Sequence, residues 1–355
     1  MTSSRTSLAL ALTLAVATVV HAAPPGYHKV AEIVVGGDGG WDYLTLDAAG
    51  RRIYASHSTS FAVVDLVTNR AAGTIADTPG AHGMAIVPDL DRGFTTNGRE
   101  NAVSVVDLKS LRTVEKIPVG EKPDAVVYAE ASQRVYVFNG DGKSASVIDP
   151  KAAKVVATVA LGGAPEFAVE DPKAGRIYNN LEDTSEIVAI GEKTNTVVAR
   201  WPLGPGEEPS GLAIDLAHHR LFAGCRNELE VAVDATTGKV VASWKIGRGV
   251  DACRFDPKLG LVYASCGEGV VTIAHEDSPD AYSVVETLAT ALSAGSMFVF
   301  HGKHRAVLIT TDDVAGEDAA AADRDRADLA GLERLEPTGG GIDARRDDLL
   351  VGQPL

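Results

Sequence analysis

The chain has 355 residues, 45% of them hydrophobic, and 48 Asp and Glu against 33 Lys and Arg, for a formal net charge of −15. It is too apolar and too long for a disordered tail, and its acidity argues against nucleic acid, whose phosphates demand a basic surface. Thirty-six glycines beside only 5% aromatic residues point to many short strands and tight turns rather than long helices.

The chain opens on a targeting pattern. Arg5 precedes an unbroken run of apolar and small residues from Leu8 to Val20, and Val20-His21-Ala22 fits a small-x-small cleavage site. Residues 1–22 are therefore expected to be a signal peptide cut after Ala22, leaving a mature chain of 23–355. The run is too short to span a bilayer, and no later stretch is as long. The expected protein is exported, periplasmic or secreted, with no membrane span after cleavage. It is read as a monomer.

Lys29 to Gly37 comes next and matches the last strand of each unit that follows, such as Val155 to Gly163. From there a repeat sets the architecture. Arg-apolar-aromatic recurs as Arg52-Ile53-Tyr54, Arg92-Gly93-Phe94, Arg134-Val135-Tyr136, Arg176-Ile177-Tyr178 and Arg220-Leu221-Phe222, and Leu261-Val262-Tyr263 repeats it without the Arg. The steps between aromatic positions are 40, 42, 42, 44 and 41 residues, the period of a four-stranded propeller blade. Within Asp124 to Val159 the four strands read as Ala125–Tyr128, Arg134–Phe138, Ser144–Asp149 and Val155–Val159, with turn residues between them.

The pattern weakens after Val285. Met297–Phe300 and Ala306–Thr311 suit the first two strands of a last blade. The acidic stretch 312–348 is off-pattern and reads as an insertion, helical or disordered, with Leu349-Leu350-Val351 as the candidate for the third strand. Seven first strands begin near Asp42, His82, Asp124, Glu166, Ser210, Asp251 and Ser296. The fold expected is an all-β, seven-bladed β-propeller of four-stranded blades, one domain closed by the N-terminal strand, which leaves no free sheet edge.

Asn101-Ala102-Val103-Ser104-Val105-Val106-Asp107, Arg134 to Gly140, and Asp149-Pro150 with Val155 to Gly162 resemble the YVTN-type β-propeller repeat. The likeness runs from about Tyr43 to Val285. It implies an exported, periplasmic propeller and names no activity. Quinoprotein dehydrogenase heavy chains and lactonase-type propellers share the architecture.

In such a ring the first strands line a central channel. The residues that start them, Asp42, His82, Asp124, Glu166, Ser210 and Asp251, then converge at one mouth as the candidate ligand-binding set. The turns between second and third strands bring His57, Asn97, Arg99, Asn139, Asn180 and Arg226 nearby. Converging carboxylates repel one another and need an offset. A divalent cation supplies one, with Asp42, Asp124, Glu166 and Asp251 as the metal ligands: calcium on oxygen ligands alone, or a transition metal if His82 joins. A solvated mouth, with each acid capping the amides of its own turn, is the alternative. Asp65, Asp107, Asp149 and Asp234 read as turn-closing side chains, Tyr54, Tyr136, Tyr178 and Tyr263 as packing between blades, and His218-His219 as solvated turn residues. Gly36 to Gly40 lacks the strand-to-helix setting of a phosphate loop.

Of Cys225, Cys253 and Cys266, the last two lie on adjacent strands and are the pair expected to be able to bond, with Cys225 left free. No Gly-x-Ser-x-Gly elbow, His-Glu-x-x-His helix or Cys-x-x-Cys-His haem motif is present. Catalytic residues are unassigned. The function expected is non-enzymatic binding of a small ligand, a cation or a periplasmic protein partner at the mouth. The alternatives are a metal-dependent, lactonase-like hydrolase and a docking subunit in periplasmic electron transfer.

Overall fold

The computed structural model describes residues 27–35, 40–293, 295–300, 305–311 and 327–334. The expected signal peptide and most of the acidic insertion lie outside them. What is described is all-β, with six successive four-stranded antiparallel sheets spanning 41–75, 81–118, 123–160, 165–202, 209–245 and 250–289. Each is a simple meander; the first runs Trp41–Asp47, Arg52–His57, Ser60–Asp65 and Arg70–Ile75. The arrangement is propeller-like.

Local sequence accounts for the meander. The turn into each second strand needs one residue in the left-handed region, and it falls in register on Arg51, Asp91, Gln133, Gly175, His219 and Gly260, with φ between 51° and 62°. Glycine takes that position twice because it carries no Cβ penalty there. The turn after each third strand is closed as the sequence suggested. Asp65 accepts hydrogen bonds from the amides of Val67 and Thr68, both at 2.8 Å, and Asp107, Asp149 and Asp234 do the same in their own sheets.

The core is divided into layers between neighbouring sheets, and the repeated aromatic position supplies the largest side chains. Tyr54, Phe94, Tyr136, Tyr178, Phe222 and Tyr263 are all fully buried, each contributing on the order of 2–3 kcal/mol from burial. Their hydroxyls reach across the layers: Tyr136 donates to Asn195 Oδ1 at 2.8 Å, Tyr178 to the Ala235 carbonyl at 3.0 Å, and Tyr263 meets the Tyr27 hydroxyl at 2.7 Å. The fourth strands are mostly exposed, as their mixed composition requires.

A further sheet has the order Tyr27–Val34, Ala327–Arg334, Arg305–Thr311, Met297–Phe300. Ala327–Arg334, the strand that follows Arg305–Thr311, therefore comes from inside the stretch set aside as an insertion. Leu349–Val351, expected in that place, lie outside the described residues. Ala327–Arg334 pairs on both sides, with Tyr27 opposite Arg334 on one and Thr311 opposite Ala327 on the other.

The cysteine expectation is corrected. All three thiols are free and buried. The register sets Cys253 opposite Ala264 and Cys266 opposite Val250, so the two are not a cross-strand pair.

Candidate functional site

Asp42, His82, Asp124, Glu166, Ser210 and Asp251 each occupy the second position of the first strand of their sheet, and Ser296 directly precedes Met297–Phe300. The register explains why these positions are free to face inward. In every one of the six sheets the strand's first residue pairs with the end of the second strand, and the ladder then shifts: between Trp41 and Leu44, Ala81 and Met84, Pro123 and Val126, Pro165 and Ala168, Pro209 and Gly211, and Val250 and Ala252. A bulge leaves its extra residue unpaired and re-aims its side chain. The sequence repeat thus delivers one polar side chain per sheet to a common point.

These side chains line a cavity of 90 Å³ together with Tyr43, Phe167 and Arg254. They are not equivalent within it. The donor atoms of Asp42, His82 and Asp124 all lie within 4.8 Å of one another. His82 Nδ1 donates to Asp42 Oδ2 at 2.5 Å and stands 3.7 Å from Asp124 Oδ1. Burial works to lower the imidazole pKa, but the bond to Asp42 and the charges of Asp124 and Asp42 outweigh it, so the ring holds its proton above its ordinary value. Burial raises Asp124 despite the nearby His82 charge. Gly83, one residue on, is held by Thr96 Oγ1 at 2.8 Å, and Thr96 also donates to the Asp124 carbonyl at 2.5 Å, which fixes the first strands of these two sheets against each other.

Glu166 and Asp251 line the same cavity but stand outside that group of three. Burial, then the carboxyl of Glu182 beside it, pushes Glu166 far above the carboxylate range. Glu182 is itself paired with Arg226 at 2.5 Å. Burial raises Asp251 to about 6, opposed by the Ser296 hydroxyl, which donates to Oδ2 at 3.2 Å. Ser210 lines the cavity, and its carbonyl accepts from Asn180 Nδ2 at 2.9 Å. Of the other turn residues, Asn97 and Asn139 are buried and bonded within their own sheets, to Ser104 and to Ser144 and Ser146. His57 stacks on Trp41 at 4.2 Å.

Three aromatic or charged residues of the cavity were not foreseen. Tyr43 stacks on Phe167 at 5.5 Å and lies beside Asp124, and the half-buried Arg254 guanidinium lies 4.9 Å from the Phe167 ring centroid. Tyr43 and Phe167 each directly follow a ring residue, so the bulge was the available signal. Arg254 comes over Phe167 only through the packing of separate sheets.

Asp42 and His82 also form part of the wall of a second, outer hollow of 640 Å³, which Arg99 and Lys122 enter from neighbouring turns. The site therefore has a narrow inner chamber and a wide outer one, with the same two side chains between them. A second cluster lies elsewhere. Asp215, His218 and Glu276 also bring donors within 4.8 Å, with His218 Nδ1 2.7 Å from Asp215 and 3.4 Å from Glu276. His218 is exposed, as expected of a turn residue, and its ring is also hydrogen-bonded to Asp215. Asp215, however, is engaged by the amides of Ala217 and His218, a turn closure like those above.

No family model matches the chain, and no curated protein does either.

Proposed function

We propose that the protein is an exported, non-enzymatic binding protein, a seven-bladed YVTN-type propeller closed by its N-terminal strand, that holds a divalent cation at its channel mouth. The pairing of Tyr27–Val34 with Ala327–Arg334, and the position of Met297–Phe300 against the first strands of both the first and the sixth sheets, support the ring. One observation carries the cation: Asp42, His82 and Asp124, from three successive sheets, bring their donor atoms within 4.8 Å. Two carboxylates neutralise a divalent charge, and an imidazole nitrogen favours zinc or another transition ion over calcium. The cation takes the place of the Nδ1 proton, which turns the His82–Asp42 contact from a hydrogen bond into shared coordination.

The hydrolase reading draws on the same geometry. Three protein ligands leave a fourth position for water, the pattern of catalytic zinc sites. A screen of lactones and esters with and without chelator separates it from simple binding.

Calorimetry of the chelator-treated protein with zinc and with calcium tests the cation. Zinc is expected to bind at one site with an affinity that falls at least a hundredfold in Asp42→Asn with Asp124→Asn. No zinc binding by the parent, or equal binding by the double variant, overturns the reading; in the second case Asp215, His218 and Glu276 are the site to examine.

A further inference from the structure

The outer hollow has a chemistry of its own. Its lining includes Asp42 and His82, two of the three residues of the cation site, together with Arg99 and Lys122. Arg99 is exposed, and its guanidinium has no carboxylate partner among the described residues. Lys122 Nζ is only loosely placed, 3.9 Å from Asp141. Its charge nevertheless reaches inward far enough to act on both His82 and Asp124. In a chain of net charge −15, two basic side chains at the entrance of an acid-lined channel need an explanation.

The charge balance supplies one. A divalent cation on Asp42 and Asp124 with neutral His82 would be neutral as a unit, and two of those three side chains also line the outer hollow. Behind it, the cavity continues to Glu166 and Asp251, neither of which offers an anion a positive partner. In front of it, the 640 Å³ hollow is large enough for a small organic acid, and Arg99 and Lys122 offset the charge that such an acid brings. Glu121 and Asp141 also line that hollow, so Arg99, which has no carboxylate partner among the described residues, is the cation best able to take an anion there. The planar guanidinium, with its fork of donors, suits a carboxylate bound at two oxygens.

We propose that the ligand of this site is a small di- or tricarboxylate, which chelates the bound cation with one end and is held at the other by Arg99, with Lys122 adding charge. The inference rests on the cation reading above. It makes the cation a bridge between protein and ligand, so cation and acid bind with positive coupling, each raising the affinity of the other by the same factor.

The test reads that coupling directly. Zinc affinity is measured with and without malonate, a small dicarboxylate, and the ratio of the two affinities is the quantity of interest. The parent is expected to give a ratio of about ten, Arg99→Ala a ratio near one, and Arg99→Lys an intermediate value, because it keeps the charge and loses the fork. Lys122→Ala is expected to lower the ratio less than Arg99→Ala does. Circular dichroism confirms that each variant is folded; Arg99 and Lys122 are exposed, so folding is expected to be unaffected. A ratio near one in the parent, with zinc binding intact, overturns the inference and leaves the cation site standing. A ratio that Arg99→Ala does not change overturns the role of Arg99. Absence of zinc binding in the parent overturns both.

Discussion

Two carboxyl groups withdrawn from water, Asp124 in the inner cavity and Glu230 between the fifth and sixth sheets, differ in what surrounds them. Asp124 has His82, Asp42 and Tyr43 within reach and opens on a chamber. Glu230 has none of this. It stands in a row across the fifth sheet, opposite Gly224 on one side and Trp244 on the other. It is fully buried, and neither carboxyl oxygen has a hydrogen-bond partner among the described residues. The Cys253 thiol of the sixth sheet and the Trp244 indole lie nearby without reaching hydrogen-bond geometry. Burial accordingly pushes Glu230 up to about 7. The same side-chain chemistry is an addressable site where charges and space converge, and a stored destabilisation where they do not.

The sharpest way to break this contrast is to disturb the closed seam. A Cβ at Gly211 meets the Cys253 backbone nitrogen at 2.6 Å and the Ala252 carbonyl carbon at 3.0 Å. Main chain cannot swing aside as a side-chain end can. Gly211→Ala is therefore expected to lower stability by about 3 kcal/mol, the upper end of overpacking, as read from urea unfolding. A loss under about 0.5 kcal/mol on the same scale shows that the seam is looser than described.

The next largest effect isolates the charge. Between pH 4.5, the ordinary value for Glu, and about 7 the folded chain keeps a proton on Glu230 that the unfolded chain has released. Its folded pKa is raised, so stability is lost as pH rises through that window and stays low above it. Glu230→Gln removes the ionisation. It is expected to raise stability by about 2 kcal/mol above pH 7 and by less than about 1 kcal/mol at pH 5, measured by denaturant unfolding at both values. A gain that does not depend on pH means that shape and not charge is the source.

The smallest effect on stability belongs to the outer hollow. A Cβ at Gly98 meets His82 Nε2 at 3.0 Å and Cδ2 at 3.1 Å, ring atoms beside an open hollow. Gly98→Ala is expected to change stability by no more than about 0.5 kcal/mol. By displacing the imidazole it is expected to weaken zinc binding about tenfold, read by calorimetry. A large stability loss with zinc binding unchanged reverses the contrast between the two regions.

What the sequence could reveal depended on repetition. The steps between Tyr54, Phe94, Tyr136, Tyr178, Phe222 and Tyr263 mark one strand position per unit, and counting back from them reached Asp42, His82, Asp124, Glu166, Ser210 and Asp251 at a shared place in each first strand. Backbone hydrogen bonding repeats whenever turns and β-branched runs repeat, so strand order and turn closure within the six sheets were legible without coordinates, as was the shared strand position of the side chains that line one cavity. The last sheet was less so, because Ala327–Arg334 carries no aromatic marker and lies far from Arg305–Thr311 in sequence.

Which members of the ring act together was a different matter. Asp42, His82 and Asp124 form a group while Glu166 turns to Glu182 and Asp251 to Ser296. Tyr43, Phe167 and Arg254 stack beneath them, and Cys253 faces Glu230 instead of bonding Cys266. Sequence period determines which face a side chain takes, because the strand backbone alone sets that alternation. Only the tertiary structure decides its partner, because a partner lies on another sheet some forty residues away or more, and ångström differences in how sheets pack decide whether two groups meet.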